Sequence, residues 1–157
     1  MSKIWGLEKF NLFKDLNPNE LQEISSIVNK VHYKKGDIIT DQNSKARDVY
    51  VLIEGRVDIV SNNGVPLYRI SNGEIFGELA LIPQLKRTAM AVARDDSWIL
   101  IMNIVHLESF GVEKHEIYKK VSSNIVDSLG MKLARANKLI ELLKTELTKT
   151  LKNKAGQ

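Results

Sequence analysis

Apolar residues recur at helical spacing near the start of the chain. Asn17 and Pro18, with Glu20 three residues after Asn17, have the form of a capping box at the start of a helix. Apolar positions then follow at intervals of three and four residues, namely Leu21, Ile24, Ile27 and Val28. This spacing predicts one apolar helix face. We therefore expect two short helices in the first thirty residues, the second of which packs on a sheet.

From Val31 onward the pattern changes to short runs of β-branched and aromatic residues that are separated by turn formers. The predicted strands are Val49–Ile53, Val57–Val60, Leu67–Ile70, Thr88–Ala93 and Trp98–Met102. Asn63-Gly64 suits a tight hairpin between the second and third of these strands. Many short strands at near-regular spacing are typical of a sandwich or a barrel. The run Phe76–Ile82 is the exception, because its pattern is helical.

After Ile104 the pattern is helical again for most of the remaining chain. Apolar residues step by three and four, as in a coiled-coil seam, at Val126, Leu129, Leu133, Ala136, Ile140, Leu143 and Leu147. One interpretation is that this stripe packs back on the barrel of the same chain. Because residues 133–151 extend past any core that so small a domain offers, we favour a self-paired helix and hence a homodimer.

Composition narrows the class of protein. A chain of 157 residues with 43% hydrophobic and 27% charged residues suits one globular domain with an appended helix. The absence of cysteine excludes disulfides and thiolate chemistry. No apolar run is long enough to cross a membrane, and Met1–Phe10 lacks the layout of a secretion signal, so we expect a cytoplasmic protein.

Positive charge is concentrated in the last third of the chain. Residues 111–157 hold ten Lys or Arg against five Asp or Glu, whereas the whole chain has a net charge of +4. Such a segment either contacts acidic partners, including nucleic acid, or is a solvated helix face.

Motifs for catalysis are not found. His32, His106 and His115 lie far apart, without the clustered spacing of metal ligands. No P-loop, dinucleotide-binding glycine motif or nucleophile elbow is present, and no pair of carboxylates is singled out as acid and base. We therefore predict no metal site, no catalytic residue and no enzymatic activity.

One segment carries binding chemistry, the run from Gly73 to Ile82 followed by Arg87. Gly77 permits a close approach of the backbone to a ligand, and the short helix predicted after it directs N–H groups toward an anion. The guanidinium of Arg87 matches phosphate oxygens. Glu78, beside such an anion site, is suited to accept a hydrogen bond from a sugar hydroxyl. Together these residues predict a site for a sugar phosphate.

This segment resembles the phosphate-binding cassette of the cyclic nucleotide-binding domain family, which includes the catabolite activator protein and the regulatory subunits of cAMP-dependent protein kinase. The resemblance rests on Phe-Gly-Glu-Leu-Ala-Leu at residues 76–81, with an arginine nine residues after the glutamate. It extends over Lys35–Asp37, over Tyr50–Gly55 with Val57 after it, and over the flanking helices. It therefore covers nearly the whole chain.

The resemblance implies a role for each residue of the segment. Glu78 would bind the ribose 2′-hydroxyl and Arg87 the cyclic phosphate, and Thr88 would contact the phosphate or the amino group of a syn guanine. The implied ligand is cAMP or cGMP, with no catalytic cofactor. The predicted nucleotide-binding residues, which include backbone amides that complete the pocket, are Phe76, Gly77, Glu78, Leu79, Ala80, Arg87, Thr88 and Ala89.

The loop of this cassette departs from the family pattern. Members often carry a proline immediately before the arginine, but here that place holds Lys86, and the proline stands at Pro83. The loop is therefore expected to differ in shape. Lys86 either adds attraction for phosphate or is simply solvated.

In the family, the helix that follows the barrel closes over the base. A polar stripe lies on this helix apart from the leucine seam, at Asn124, Ser128, Lys132 and Arg135. Ser128 and Lys132 are the predicted base-capping residues. The alternative for each of them is an ordinary solvated helix face.

The predicted fold is mainly β with helices (α+β). It is an antiparallel β-roll or jelly-roll barrel, flanked by N-terminal helices and a long C-terminal dimerisation helix. Residues 1–115 are expected to form the nucleotide-binding β-roll. Residues 116–157 are expected to form the helix that caps the base and pairs with a second copy.

The predicted function is a stand-alone cyclic nucleotide sensor that signals through its C-terminal helix to an unidentified effector protein. Specific DNA binding is not expected, because no helix-turn-helix follows the long helix, and membrane association is not expected either. One alternative is a nucleotide-free dimeric interaction module, in which the cassette survives as scaffold. Another is a non-specific nucleic-acid binder that uses the basic C-terminal helix.

Overall fold

The computed structural model describes residues 6–41, 44–45 and 47–157, and within them the chain forms eight strands and three α-helices. The strands are β1 (Val28–Tyr33), β2 (Ile38–Thr40), β3 (Asp48–Glu54), β4 (Val57–Val60), β5 (Pro66–Ile70), β6 (Ile75–Phe76), β7 (Met90–Ala93) and β8 (Ser97–Asn103). The α-helices are α1 (Pro18–Ile24), α2 (Ile104–Glu113) and α3 (His115–Ala155). Residues 1–5, on which the prediction of no secretion signal partly rests, lie outside the described residues.

The strands form two four-stranded antiparallel sheets, in the orders β1-β8-β3-β6 and β2-β7-β4-β5. With the flanking helices, this arrangement confirms the predicted β-roll fold. The predicted hairpin joins β4 to β5. Its turn is closed by hydrogen bonds from the amide of Ser61 to the carbonyl of Val65 and from the amide of Gly64 to the carbonyl of Ser61, both 2.9 Å long. Gly64 has a φ of 78°, which a glycine adopts without strain.

The predicted helix through Val28 is too long. The helix α1 ends at Ile24, a 3-10 turn follows at Ser25–Ile27, and Val28 begins β1 opposite Met102. The hydroxyl of Ser25 donates to the carbonyl of Gln22, and such local side-chain hydrogen bonds favour a helix end. The pairing with β8 then decides the conformation of Val28.

The predicted helix over Phe76–Ile82 is also only partly correct. Phe76 belongs to β6 and lies opposite Tyr50, and only Glu78–Leu81 form a short 3-10 helix. Gly77 separates the two elements, because its φ of 80° is incompatible with a continuous right-handed helix.

The N-terminal elements pack against the start of α3. Ile117, Val121 and Ile125 are buried in the same apolar cluster as residues of the N-terminal segment and of the sheet β1-β8-β3-β6. The predicted capping box is present, since Glu20 and Asn17 exchange hydrogen bonds of 2.8 and 2.9 Å. The carboxylate of Glu20 also accepts two hydrogen bonds of 2.9 Å from Nζ of Lys120.

The chain divides into two compact units, Met1–Ile125 and Val126–Gln157. The second unit is the distal part of α3 with the last residues of the chain. Large apolar residues of the predicted seam are between 50% and 61% exposed there, namely Val126, Leu133, Ile140, Leu143 and Leu147. Among the residues that the structure describes, none of the helices is long and apolar enough to cross a membrane.

Candidate functional site

The backbone turns sharply at Gly77, between β6 and the 3-10 helix Glu78–Leu81. Gly77 has a left-handed φ of 80°. A Cβ atom at this position would lie 2.8 Å from Nη1 of Arg87, 2.8 Å from Cδ2 of Tyr50 and 2.9 Å from the carbonyl oxygen of Asp48. The groups that closely approach Gly77 in the structure are Arg87 and residues of β3. The close approach of its backbone to a ligand stays a prediction.

Arg87 is held in place by the backbone around it. Its amide donates to the carbonyl of Ser44 at 3.0 Å, and its Nη2 donates to the carbonyl of Asp48 at 2.8 Å. The guanidinium carbon lies 5.5 Å from the ring centroid of Tyr50, which adds a cation–π contact. These contacts fix the direction of the Arg87 side chain, which is only 7% exposed.

Tyr50, which contacts this guanidinium, also packs on Phe76. Their rings are stacked with centroids 4.9 Å apart and planes at 15° to each other. Burial raises the pKa of the Tyr50 phenol to about 12, and the positive charge of Arg87 opposes this rise only in part. Tyr50 is thus neutral over the whole physiological range of pH and contributes no negative charge to neutralise Arg87.

Glu78 and Arg87 line the same cavity, and both are buried. Glu78 is 5% exposed. The cavity has a volume of about 80 Å³, several times what one water molecule needs. Burying ionised groups costs free energy, and an ion pair alone is weak grounds for keeping two of them inside a domain. A cavity that presents both a carboxylate and a guanidinium suits a ligand with hydroxyl and anionic groups. The residues that line it are Thr40, Ile59, Tyr68, Phe76, Gly77, Glu78, Leu79, Arg87, Thr88 and Ala89.

The structure brings most of the predicted binding residues together. Of the eight, Phe76, Gly77, Glu78, Leu79, Arg87, Thr88 and Ala89 line the cavity. Ala80 differs, because its side chain is buried in the apolar core and its amide donates to the carbonyl of Gly77 at 3.0 Å. Its backbone amide is thus already engaged within the 3-10 helix.

Sequence reasoning missed three residues of the cavity wall. Ile59 and Tyr68 lie opposite each other in the β4–β5 ladder, so one face of that hairpin contributes to the wall. The alternation of side chains along the predicted hairpin would have indicated this face. Thr40 lies on β2, a three-residue strand too short for periodicity to reveal. Its Oγ1 accepts a hydrogen bond from the amide of Ala91 at 3.2 Å.

The polar stripe on α3 does not behave as one surface. Asn124 is buried, and its Nδ2 donates to the carbonyls of Leu12 at 3.1 Å and Lys14 at 2.9 Å. Its role is therefore to hold the N-terminal segment against α3. Ser128 and Lys132, the predicted base-capping residues, lie one turn apart on α3 in the second unit, and their contact with a base stays a prediction.

Metal ligands were not expected from the sequence. In the ranges 6–41, 44–45 and 47–157, no group of three or more His, Cys, Asp or Glu side chains is arranged to hold a metal ion.

Comparison with protein families gives a match to the model of the cyclic nucleotide-binding domain over residues 30–111, more than half of the chain. The matched range contains β2 to β8, the 3-10 helix and Arg87.

Relatives of known description share part of this chain. The Pycsar effector protein BcPycTIR of Burkholderia cepacia is 29% identical over 104 residues, which is 66% of this chain and 34% of that protein. The cAMP-dependent protein kinase regulatory subunit of Schizosaccharomyces pombe is 28% identical over 88 residues, 56% of this chain and 21% of that protein. The chain thus spans about a third or less of the length of these relatives.

Solved structures share the fold. A cyclic nucleotide-binding domain from Methylobacillus flagellatus superposes with a TM-score of 0.76 at 17% identity, covering 88% of this chain and 79% of that one. At this level of identity the likeness shows the architecture alone.

Proposed function

Because this chain belongs to the cyclic nucleotide-binding domain family, we propose that it is a sensor that binds cAMP or cGMP in the cavity lined by Glu78 and Arg87. The observation that carries the proposal is the burial of these two opposite charges around one cavity. The family is regulatory and typically non-catalytic, and a binding role for these charges fits that character.

In the proposed complex, Arg87 holds the cyclic phosphate. One N–H group of its Nη2 is engaged with the carbonyl of Asp48, so the guanidinium offers its other N–H groups, on Nη1, Nε and Nη2, to a phosphate. The surrounding aromatic and aliphatic side chains lower the local dielectric, which strengthens the attraction between the guanidinium and the phosphate.

Glu78 is proposed to accept a hydrogen bond from the ribose 2′-hydroxyl. A carboxylate repels an anion, so in the proposed complex Glu78 addresses the uncharged part of the ligand, while Arg87 of the same cavity addresses the phosphate. Thr88 is exposed at the same cavity and is proposed to contact the phosphate or a guanine amino group. Ser128 and Lys132 remain the proposed base-capping residues.

We propose that α3 transmits the signal of nucleotide binding to the effector protein. We assign residues 1–115 to nucleotide binding and residues 116–157 to signalling, with the apolar seam pairing with the same seam of a second copy. Five large apolar side chains at heptad spacing are at least half exposed in the second unit, and burying such a stripe against an identical one is the physical basis of a coiled-coil dimer. A ligand shifts this output only by its differential affinity for two conformations of the protein.

The effector is proposed to be another protein that reads the paired helices. We place the protein in the cytoplasm, in accord with its lack of cysteine.

The test is isothermal titration calorimetry of the purified protein with cAMP and with cGMP. We expect Arg87→Ala to weaken binding by about a hundredfold, since a buried charge-assisted contact to phosphate is lost. Arg69→Ala is the matched control, because Arg69 pairs with Asp58 and does not line the cavity. Binding that Arg87→Ala leaves intact would contradict the proposal.

A second arm of the experiment tests Glu78. Wild type is expected to bind 2′-deoxy-cAMP about tenfold more weakly than cAMP, because a hydrogen bond to a carboxylate is lost. Glu78→Ala should bind the two ligands equally. If Glu78→Ala still discriminates between them, Glu78 does not contact the 2′-hydroxyl.

A further inference from the structure

The carbonyl of Asp48 lies at the edge of β3 just where β6 ends. The two strands pair through Tyr50 and Phe76, and a continued ladder would place residue 78 opposite Asp48. Instead Nη2 of Arg87 donates to this carbonyl at 2.8 Å. The guanidinium thus takes the place of the next strand residue, and the end of β3 becomes the support on which Arg87 rests.

The side chain of Asp48 fixes this end of β3 from the other side. Its Oδ1 accepts a hydrogen bond of 2.8 Å from Nδ2 of Asn103, which lies opposite Asp48 in the β3–β8 ladder. The neighbouring carbonyl of Arg47 accepts from the amide of Ile104 at 2.8 Å. Both contacts join the end of β3 to the junction between β8 and α2.

The same Asn103 side chain is the N-cap of α2. Its Oδ1 accepts from the amides of Val105 at 3.0 Å and His106 at 3.3 Å. Because the oxygen serves the helix and the nitrogen serves Asp48, the orientation of the amide is determined at both ends. A continuous series of hydrogen bonds therefore runs from the start of α2 through Asn103 and Asp48 to the guanidinium of Arg87.

We propose that Asp48 and Asn103 are positioning residues for Arg87. Their side-chain hydrogen bond holds the carbonyl of Asp48 in the place where it aligns the guanidinium with the cavity, although neither residue lines that cavity. The proposal rests on the proposed function, in which Arg87 binds the cyclic phosphate. Loss of the pair should weaken ligand binding through Arg87 alone.

The central variant is Asn103→Asp. Aspartate is as good an N-cap as asparagine, so the start of α2 keeps its acceptor, but the new carboxylate faces the carboxylate of Asp48. We expect cAMP to bind about tenfold more weakly in calorimetry, because a charge-assisted hydrogen bond becomes a repulsion. Adding Asp48→Asn reverses the direction of the bond and should restore the affinity to within about twofold of wild type.

Two further variants separate positioning from a general loss of stability. Asn17→Asp makes the same change at the N-cap of α1 and should leave cAMP affinity unchanged. In an Arg87→Lys background, which keeps a cation for the phosphate but not the guanidinium, Asn103→Asp should cause little additional loss. Full additivity of the two substitutions, or failure of the double variant to restore binding, would overturn the proposal.

A readout without ligand distinguishes this proposal from the proposed function. If wild type binds neither cAMP nor cGMP, the proposed function fails, but NMR of the Arg87 guanidinium still tests the positioning. Hindered rotation about the Cζ–Nη bonds is expected in wild type and in Asp48→Asn/Asn103→Asp, and faster rotation in Asn103→Asp. Equal rotation rates in all three proteins would show that the pair does not position Arg87.

Discussion

The cavity on the β-sheets and the distal part of α3 both depart from the usual distribution of side chains, in which charged residues are exposed and apolar residues are buried. Around the cavity, the charged residues Glu78 and Arg87 are buried. On the distal part of α3, leucines such as Leu133 and Leu143 are each 61% exposed. Buried charges and exposed apolar stripes are the informative departures in a folded domain. The first region suits the anionic ligand that we propose, and the second suits the apolar surface of a second copy, which we also propose.

Asp58 shows that burial of a charge is not sufficient to mark a site. Its carboxylate accepts from Nε of Arg69 at 3.0 Å and from Nε of Arg94 at 3.3 Å. Its charge is thus balanced within the protein, away from the cavity. The difference between Asp58 and the Glu78–Arg87 cavity is that the latter offers its charged groups to a space that a ligand can enter.

The largest expected effect is on the exposed stripe. Leu133→Asp combined with Leu143→Asp should weaken self-association by about a thousandfold or more, because charges replace two apolar side chains in each copy of the seam. Analytical ultracentrifugation measures this directly. Leu142→Asp, at an exposed position outside the seam, is the matched control and should leave the dimer intact. A wild-type protein that is monomeric at high concentration would remove the basis for a paired helix.

The next effect concerns the backbone of the cavity. Gly77→Ala should lower the free energy of unfolding by about 3 kcal/mol, since the new Cβ combines a left-handed φ with contacts below 3 Å to Arg87 and β3. Denaturant unfolding measures the loss. Gly64→Ala has a similar φ of 78° but nothing within 4 Å of its Cβ, so it should cost only about 1 kcal/mol. Equal losses at the two positions would mean that the crowding at Gly77 is relieved easily.

A smaller effect is expected at the internally balanced charge. Asp58→Asn should lower the free energy of unfolding by about 1 kcal/mol, because the side chains of its partners Arg69 and Arg94 are 61% and 39% exposed and remain partly hydrated. Nucleotide affinity should stay within about twofold of wild type in calorimetry. A loss of affinity as large as that of Arg87→Ala would erase the distinction between the two kinds of buried charge.

The smallest effect is a pH dependence at the contact between α1 and α3. Hydrogen bonds from Lys120 and from the amide of Asn17 lower the pKa of Glu20 below its usual value of 4.5. A carboxyl with a lowered folded pKa contributes stability that is present above the unfolded pKa and is lost as the pH falls through the folded pKa. The difference in unfolding free energy between wild type and Lys120→Met should therefore shrink as the pH is lowered below about 4.5. A difference that does not change down to pH 2 would contradict this role of Glu20.

Local patterns predicted much of the fold. The predicted strand Val57–Val60 matches β4, and Asn63-Gly64 forms the expected turn, because alternation and turn chemistry are properties of neighbouring residues. The short strands β1 and β2 were not delimited in advance. The conformation of Val28 depends on its pairing with Met102, which lies far away in sequence.

The candidate site was predictable where it is continuous in sequence. The segment around Gly77 and Arg87 was identified from residue chemistry and from a family resemblance. The residues that support Arg87 were not predicted, because their contacts are distant in sequence. Asp48 is separated from Arg87 by 39 positions and from Asn103 by 55. Asn124 was assigned to a polar stripe on α3, although its amide holds the N-terminal segment. Periodicity shows on which face of a helix a residue lies, but not which loop comes to rest on that face.

The bridge from Arg87 to Asp48 and on to Asn103 has a consequence for the order of folding. The guanidinium is aligned only after strands distant in the chain have paired, and such long-range closure is slow. Incomplete chains should thus not bind the proposed nucleotide. Because the nucleotide would bind only the folded protein, adding it should raise the melting temperature. The proposed nucleotide ligand would then stabilise the folded state of this chain as well as act as its signal.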